Sequence, residues 1–324
     1  MKPRVYVTRH LPERALEELL RVCEVEIWDQ EIPPPYDVIV EKMGDKEGLL
    51  CLLTDRIDSA LMDAAPELKV ISQCAVGFDN INVEAATERG IPVGNTPGVL
   101  TDATADFAFT LLMAAARRIG EAIEYVQEGR WKTWGLTLLL GQDVYGATLG
   151  IVGLGRIGKA VAQRASGFAM KVLYHDTVRQ PEVEDELGVA YRELDDLLRE
   201  ADYVSLHVSL TEETRGLIDA RALALMKPTA ILINTCRGPV VDAEALYTAL
   251  KTGQIAYAAL DVTDPEPLPA DHKLLDLPNL IVAPHIASAT VTSRTRMALM
   301  AVENLATGLR GERLPHCANP EVYG

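Results

Sequence analysis

Three glycines at a fixed spacing, Gly153, Gly155 and Gly158, stand between an apolar run, Thr148–Val152, and a helical pattern, Lys159–Ser166. No other feature of the chain restricts its fold as much. A strand that turns so tightly into a helix belongs to a sheet covered by helices. Gly153 permits the turn, Gly155 removes side-chain bulk from the path of a group approaching the backbone, and Gly158 lets the helix pack close to the strand. The first N–H groups of the helix and the positive end of its dipole then offer a seat for a pyrophosphate. Any tight turn favours glycine, so the pattern draws its force from the strand before it and the helix after it.

A second feature supports the same seat. The next strand, Val172–His175, ends in Asp176, 18 residues beyond Gly158. An aspartate there can accept both hydroxyls of a ribose and repels a 2′-phosphate, which makes NAD the first choice of dinucleotide. A helix cap or turn aspartate is the alternative role. Arg179, three residues on, leaves NADP open, because a nearby arginine is how such sites accept the extra phosphate.

Strand-like and helix-like runs alternate from end to end, the order expected of α/β layers with parallel sheets. Strands are expected at Val5–Thr8, Glu24–Trp28, Gly48–Leu53, Lys69–Gln73 and Ile91–Asn95, with helices at Pro12–Val22, Ser59–Ala65 and Val83–Arg89 between them. Past the glycine turn, strands are expected at Lys171–Tyr174, Tyr203–Val208, Ala230–Asn234, Ala256–Val262 and Leu280–Ala283. Their unbroken apolar character suits a sheet buried on both faces. Thr101–Gly129 reads as a long, rather apolar helix, through Ala105, Phe107, Ala108, Leu111, Leu112 and Ala115. Arg130–Tyr145 carries too little punctuation to be assigned. At 324 residues the chain is about twice an ordinary domain, and two cores are expected.

Three polar residues close predicted strands: Arg237 after Ala230–Cys236, Glu266 after Leu260–Pro265, and His285 after Leu280–Pro284. Open α/β sheets bind their ligands at such strand ends. Together these residue types meet the needs of 2-keto-acid reduction. Arginine pairs bidentately with a carboxylate. Histidine exchanges a proton near neutrality. A glutamate bonded to the imidazole favours its charged form. Singly, each has a plainer role as a cap, a loop acid or a turn histidine; three such coincidences at matching strand ends are the weaker explanation.

Charge and cysteine usage exclude other classes. With 47 acidic against 31 basic side chains the formal net charge is -16, a surface that repels nucleic acid and anionic lipid. The five cysteines have neither disulfide-framework nor zinc-site spacing, and no metal is expected. No apolar stretch at the N-terminus is long enough for a signal peptide, and the expected location is the cytoplasm. Cys236 beside Arg237 has no base paired with it in the sequence, and His207, inside an apolar strand, reads as structural.

These residues, with Val76–Asn80, Asn95–Gly98, Asn234–Gly238, Asp261–Pro267 and Pro284–Ser288, resemble the D-isomer-specific 2-hydroxy-acid dehydrogenase family over essentially the whole chain. Trp131–Trp134 and Leu138–Asp143 resemble its glyoxylate and hydroxypyruvate reductase branch in particular. The resemblance implies an α/β protein of two doubly wound parallel-sheet domains. A flavodoxin-like substrate domain would comprise residues 1–100 and 288–324, and a Rossmann-like NAD(P) domain residues 101–287, with the cleft between them. It also implies that Arg237, Glu266 and His285 are catalytic, and that the backbone of Val76 and Gly77 joins Arg237 in holding a small anionic substrate. Thr104, Gly153, Gly155, Arg156, Ile157, Gly158, Asp176, Thr235 and Asp261 would line the cofactor, Asp261 facing the nicotinamide amide. A homodimer joined near Thr101–Arg118 is implied, with Trp134 reaching the partner's site. Ser209 and Ala287 depart from the proline and glycine usual in the family. Formate enzymes of the superfamily pair the histidine with glutamine, so Glu266 argues against formate. Phosphite oxidation and a non-catalytic NAD-sensing corepressor remain the rival readings.

Overall fold

The computed structural model describes residues 2–324. Five short strands, β1 (Arg4–Val7), β2 (Glu24–Ile27), β3 (Gly48–Cys51), β4 (Val70–Gln73) and β5 (Val93–Gly94), form a parallel sheet in the order β2-β1-β3-β4-β5. Strands β3 and β4 are buried at every position. A helix from the far end of the chain, Val291–Leu309, packs on β3 and β4 and on the Glu13–Val22 helix. Buried asparagines fasten it and the tail behind it. Asn304 donates to the Asn95 carbonyl at 2.9 Å and accepts from the His316 N–H. Asn319 accepts from the Val93 N–H at 2.8 Å and donates to the Ile91 carbonyl. Residues up to Leu100 and Ala289–Gly324 thereby make one compact unit, discontinuous in sequence.

Thr101–Ser288 make the second unit. Its sheet has seven parallel strands, β6 (Thr148–Val152), β7 (Lys171–His175), β8 (Ala190–Tyr191), β9 (Tyr203–Leu206), β10 (Ile231–Asn234), β11 (Tyr257–Leu260) and β12 (Leu280–Val282). Their order is β12-β11-β10-β9-β6-β7-β8, so the winding reverses between β6 and β9. Successive residues of a strand face opposite sides of the sheet. Ile151, Tyr203, Ile231, Ile233 and Ala259 accordingly pack with the Thr101–Ala116 helix, while Val152, Val204, Leu206, Leu232 and Leu260 pack with Leu197, Leu223 and Leu246. An apolar run without alternation is what two covered faces require.

Two sequence expectations change. The stretch read as one long helix is two, Thr101–Ala116 and Ile119–Gln127, because Arg118 turns into the left-handed region (φ 53°) and its guanidinium forks onto Glu121. The two-residue β8 is too short to leave a pattern in the sequence. Arg130–Tyr145, left unassigned above, contains no helix or strand. Among the described residues no helix is long and apolar enough to cross a membrane.

Candidate active site

The glycine turn occupies the C-terminal end of β6, beside the point where the winding reverses. Gly153 has φ +95°, and a Cβ there would lie 2.8 Å from the backbone of His207. A Cβ on Gly158 would lie 2.2 Å from the Gly153 carbonyl oxygen. Gly155 differs: a Cβ on it would meet nothing within 4 Å, so its flank is open to an approaching group. It caps the Arg156–Ser166 helix without any side-chain hydrogen bond, and the first N–H groups, including those of Arg156 and Ile157, are not taken up by a cap. This combination suits a pyrophosphate. Asp176, at the end of β7, accepts from the Leu154 N–H through Oδ2 and from the Thr177 N–H through Oδ1, both at 2.8 Å.

Thr235, just past β10, holds its hydroxyl buried with no hydrogen-bond partner. An unsatisfied buried hydroxyl costs about 1–3 kcal/mol, which makes it a natural place for a ligand's polar group. Thr104 is buried on the Thr101–Ala116 helix. A glycine cradle, a carboxylate at the end of the next strand and an unsatisfied hydroxyl thus share one sheet.

The catalytic candidates come from the next three strand ends. After β12, the backbone at His285 enters the left-handed region (φ 54°), uncommon for a non-glycine residue. It is held there by Asp261, which ends β11. The Asp261 carbonyl accepts the His285 N–H at 2.8 Å, and the two oxygens of its carboxylate accept the N–H groups of Ile286 and Ala287, each at 2.8 Å. Asp261 is 1% exposed, and burial pushes its carboxyl up despite those two bonds. Both side-chain oxygens of Asp261 are thus engaged in shaping the histidine turn.

The His285 ring places Nδ1 2.6 Å from Glu266 Oε1. Burial alone would raise the Glu266 carboxyl. The bond and charge of His285, with smaller help from the Thr263 N–H and the charge of Arg237, leave it net below its ordinary value. Glu266 is therefore ionised at neutral pH and presents a carboxylate to the ring nitrogen.

Arg237 rides on a loop shaped by Asn234, which accepts from the Cys236 N–H at 3.0 Å and donates to the Arg237 carbonyl at 2.8 Å. One guanidinium nitrogen, Nη1, donates to the Cys236 carbonyl. Gly238 then presses against the Thr263–Asp264 backbone, which places the arginine loop against the one that carries Glu266. Sequence reading missed Asn234 and Gly238 as positioning residues, because nothing in a strand end and a glycine announces which loop they will meet. Burial raises the Cys236 thiol to about 11, which rules it out as a ready nucleophile. His207 bonds Ser205 at 2.8 Å, and desolvation pushes it down to about 4, as suits a structural histidine.

Val76 and Gly77 belong to the other unit, on the loop after β4. Their carbonyls accept from Asn95 and Gln73, while neither N–H has a partner among the described residues. Trp134 lies in the irregular segment and is 76% exposed. A cavity of about 310 Å3 lined by Arg118, Gln142, Ile231 and Tyr257 opens at the opposite, N-terminal end of β10 and β11, and no candidate residue lines it. Among the described residues no cluster could hold a metal ion.

Comparison with known proteins settles the family. Residues 109–287 match the family described as D-isomer specific 2-hydroxyacid dehydrogenase, NAD binding domain. The chain belongs to the D-isomer-specific 2-hydroxyacid dehydrogenases. Within that family it is 56% identical to the glyoxylate reductase of Korarchaeum cryptofilum, over 99% of this chain and 97% of the relative. It is 49% identical to the glyoxylate reductase of Thermococcus litoralis, over 99% and 98%. A crystal structure of a protein from Thermus thermophilus superposes with a TM-score of 0.92 at 49% identity, over 97% of this chain and 99% of that one. So does an NADPH-dependent glyoxylate/hydroxypyruvate reductase from Sinorhizobium meliloti in complex with NADP and malonate, with a TM-score of 0.88 at 33% identity over 99% and 98%. As a member of this dehydrogenase family the chain uses NAD(P), and the glycine turn lies within the residues that match its NAD-binding domain.

Proposed function

We propose that this dehydrogenase reduces a small 2-keto acid, glyoxylate or hydroxypyruvate, to glycolate or D-glycerate. The observation that carries the reading is the 2.6 Å bond between His285 and Glu266 at the C-terminal edge of the dinucleotide sheet. The glyoxylate reductase relatives at about half identity support the substrate class.

When bound, the reduced nicotinamide supplies a hydride to the carbonyl carbon. The chain's residues meet the other needs of the reaction. Arg237 pairs its planar fork with the substrate carboxylate and orients the carbonyl. His285, with Nδ1 engaged by Glu266, delivers a proton from Nε2 to the carbonyl oxygen as negative charge develops there. Glu266 keeps that ring oriented, and Asp261 keeps its backbone in the required turn. Gly153, Gly155, Gly158, Arg156 and Ile157 hold the pyrophosphate, Asp176 the adenosine ribose, and Thr104 and Thr235 line the remainder.

The glyoxylate reductase relatives favour keto-acid reduction over phosphite oxidation and corepressor-like sensing. A homodimer is the expected assembly. The Ile119–Gln127 helix and the segment after it expose Ile123, Val126, Trp131, Trp134, Leu136 and Leu140, large apolar side chains that a monomer would leave in water. Light scattering should give about twice the chain mass of 35.3 kDa.

The deciding assay follows absorbance of the reduced nicotinamide with glyoxylate, hydroxypyruvate and pyruvate. Glyoxylate or hydroxypyruvate should turn over fastest, and His285→Ala should lose most of the rate while retaining NADH binding. Near-full turnover by that variant would defeat the proposal.

A further inference from the structure

The loop that follows Asp176 is built around an arginine that is already occupied. It is tied to the glycine turn twice, by the Leu154 N–H donating to Asp176 Oδ2 at 2.8 Å and by Gln180 Nε2 donating to the Leu154 carbonyl at 3.2 Å. Arg179 lies between those two ties, at the place from which an arginine can reach a 2′-phosphate. Its guanidinium instead forks onto Glu184. Nε donates to Oε1 and Nη2 to Oε2, both at 2.8 Å. The acceptor is itself held in place: the Tyr174 hydroxyl donates to Glu184 Oε1 at 2.8 Å and accepts from the Gln180 N–H at 2.7 Å.

We propose that Glu184 is a positioning residue for cofactor choice: by clamping Arg179 it withholds that guanidinium from a 2′-phosphate, and so tilts the chain toward NADH over NADPH. This rests on the dinucleotide seat described above and adds to it a residue that does not touch the dinucleotide. An exposed single-point ion pair would be a weak clamp. This one is bidentate, which adds geometric specificity, and although 62% of the Arg179 side chain is exposed, only 15% of Glu184 is. The bonds from Arg179, then from Tyr174, pull the Glu184 carboxyl down to about 2, so the clamp stays charged through the working pH range. A 2′-phosphate must compete with that carboxylate for the same fork. Asp176 and the clamp then act in one direction, the first by repelling the phosphate and the second by denying it a partner.

The test is fluorescence titration with NADH and with NADPH, reading the ratio of the two dissociation constants. Glu184→Ala should shift that ratio toward NADPH by about fivefold or more, the yield of one released charge-assisted contact at an exposed site. The Arg179→Ala/Glu184→Ala double variant should return to the ratio of Arg179→Ala alone. Glu184→Gln offers the same comparison with less change of volume should the alanine variant fold poorly. A ratio within twofold of the parent, with both dinucleotides still binding, would overturn the inference alone, as would a shift that survives removal of Arg179. Failure of the parent to bind either dinucleotide would overturn the seat and the inference together.

Discussion

Gly238 sits so close to Thr263 that a Cβ on it would fall 1.9 Å from the Thr263 carbonyl oxygen. The contact joins the loop that carries Arg237 to the loop that carries Glu266, so the spacing of the two charged groups depends on a missing side chain.

Gly238→Ala must therefore push the two loops apart. Overpacking of this kind costs about 1–3 kcal/mol of stability, and a displacement near 1 Å costs about a hundredfold in rate. Steady-state kinetics should show a large fall in kcat/KM with NADH affinity little changed. A variant as active as the parent would mean that loop spacing does not limit the reaction.

Glu266→Gln keeps a hydrogen-bond acceptor for the ring but removes the charge that favours the imidazolium. Keto-acid reduction needs a proton donor, and without that charge the variant should lose rate relative to the parent, most at alkaline pH. On the acid side the sign reverses. Because the Glu266 carboxyl is held below its ordinary value, its pairing with His285 is present at neutral pH and fails only when pH drops through that lowered value. A profile of kcat/KM against pH for both proteins checks the two limbs, and coincident alkaline limbs would count against the pairing.

Thr235→Val exchanges a buried, unsatisfied hydroxyl for a methyl group of similar shape. Freed of that penalty, the cofactor-free protein should melt higher, by an amount corresponding to about 1 kcal/mol. NADH should at the same time stabilise it less than it stabilises the parent. Melting curves with and without NADH decide the matter; an unaltered NADH increment would show that the hydroxyl has no cofactor partner.

Asp261→Asn replaces one of two buried acceptors by an NH2 group facing a backbone N–H, so either Ile286 or Ala287 loses its partner. About 2 kcal/mol of stability should go. With the left-handed turn at His285 no longer held, kcat should drop by about tenfold or more even at temperatures where the protein is fully folded. Intact kcat in a destabilised protein would make Asp261 a purely structural residue.

The alternation of apolar strands with amphipathic helices, the glycine turn and the three strand-end residues were all readable along the chain, because each depends on residues within a few positions of one another. Period and turn chemistry are local properties, and a strand buried on both faces advertises itself by composition. The break at Arg118 was not readable, since Thr101–Gln127 keeps helical composition across it and the turn is stabilised by the fork onto Glu121. Nor was the occupation of Arg179, whose partner five residues on is chosen by the packing of a tyrosine from the preceding strand.

What the sequence by itself determined is therefore the class of layers, the glycine turn between strand and helix, and the candidates for acid, base and cation. Only the tertiary structure decided which backbone each of these presses against: Asp261 beneath the histidine turn, Gly238 against Thr263, Glu184 across Arg179. Those pairings join residues through contacts between loops and strand ends, where no periodicity records the partner and a difference of an ångström decides what the groups can do.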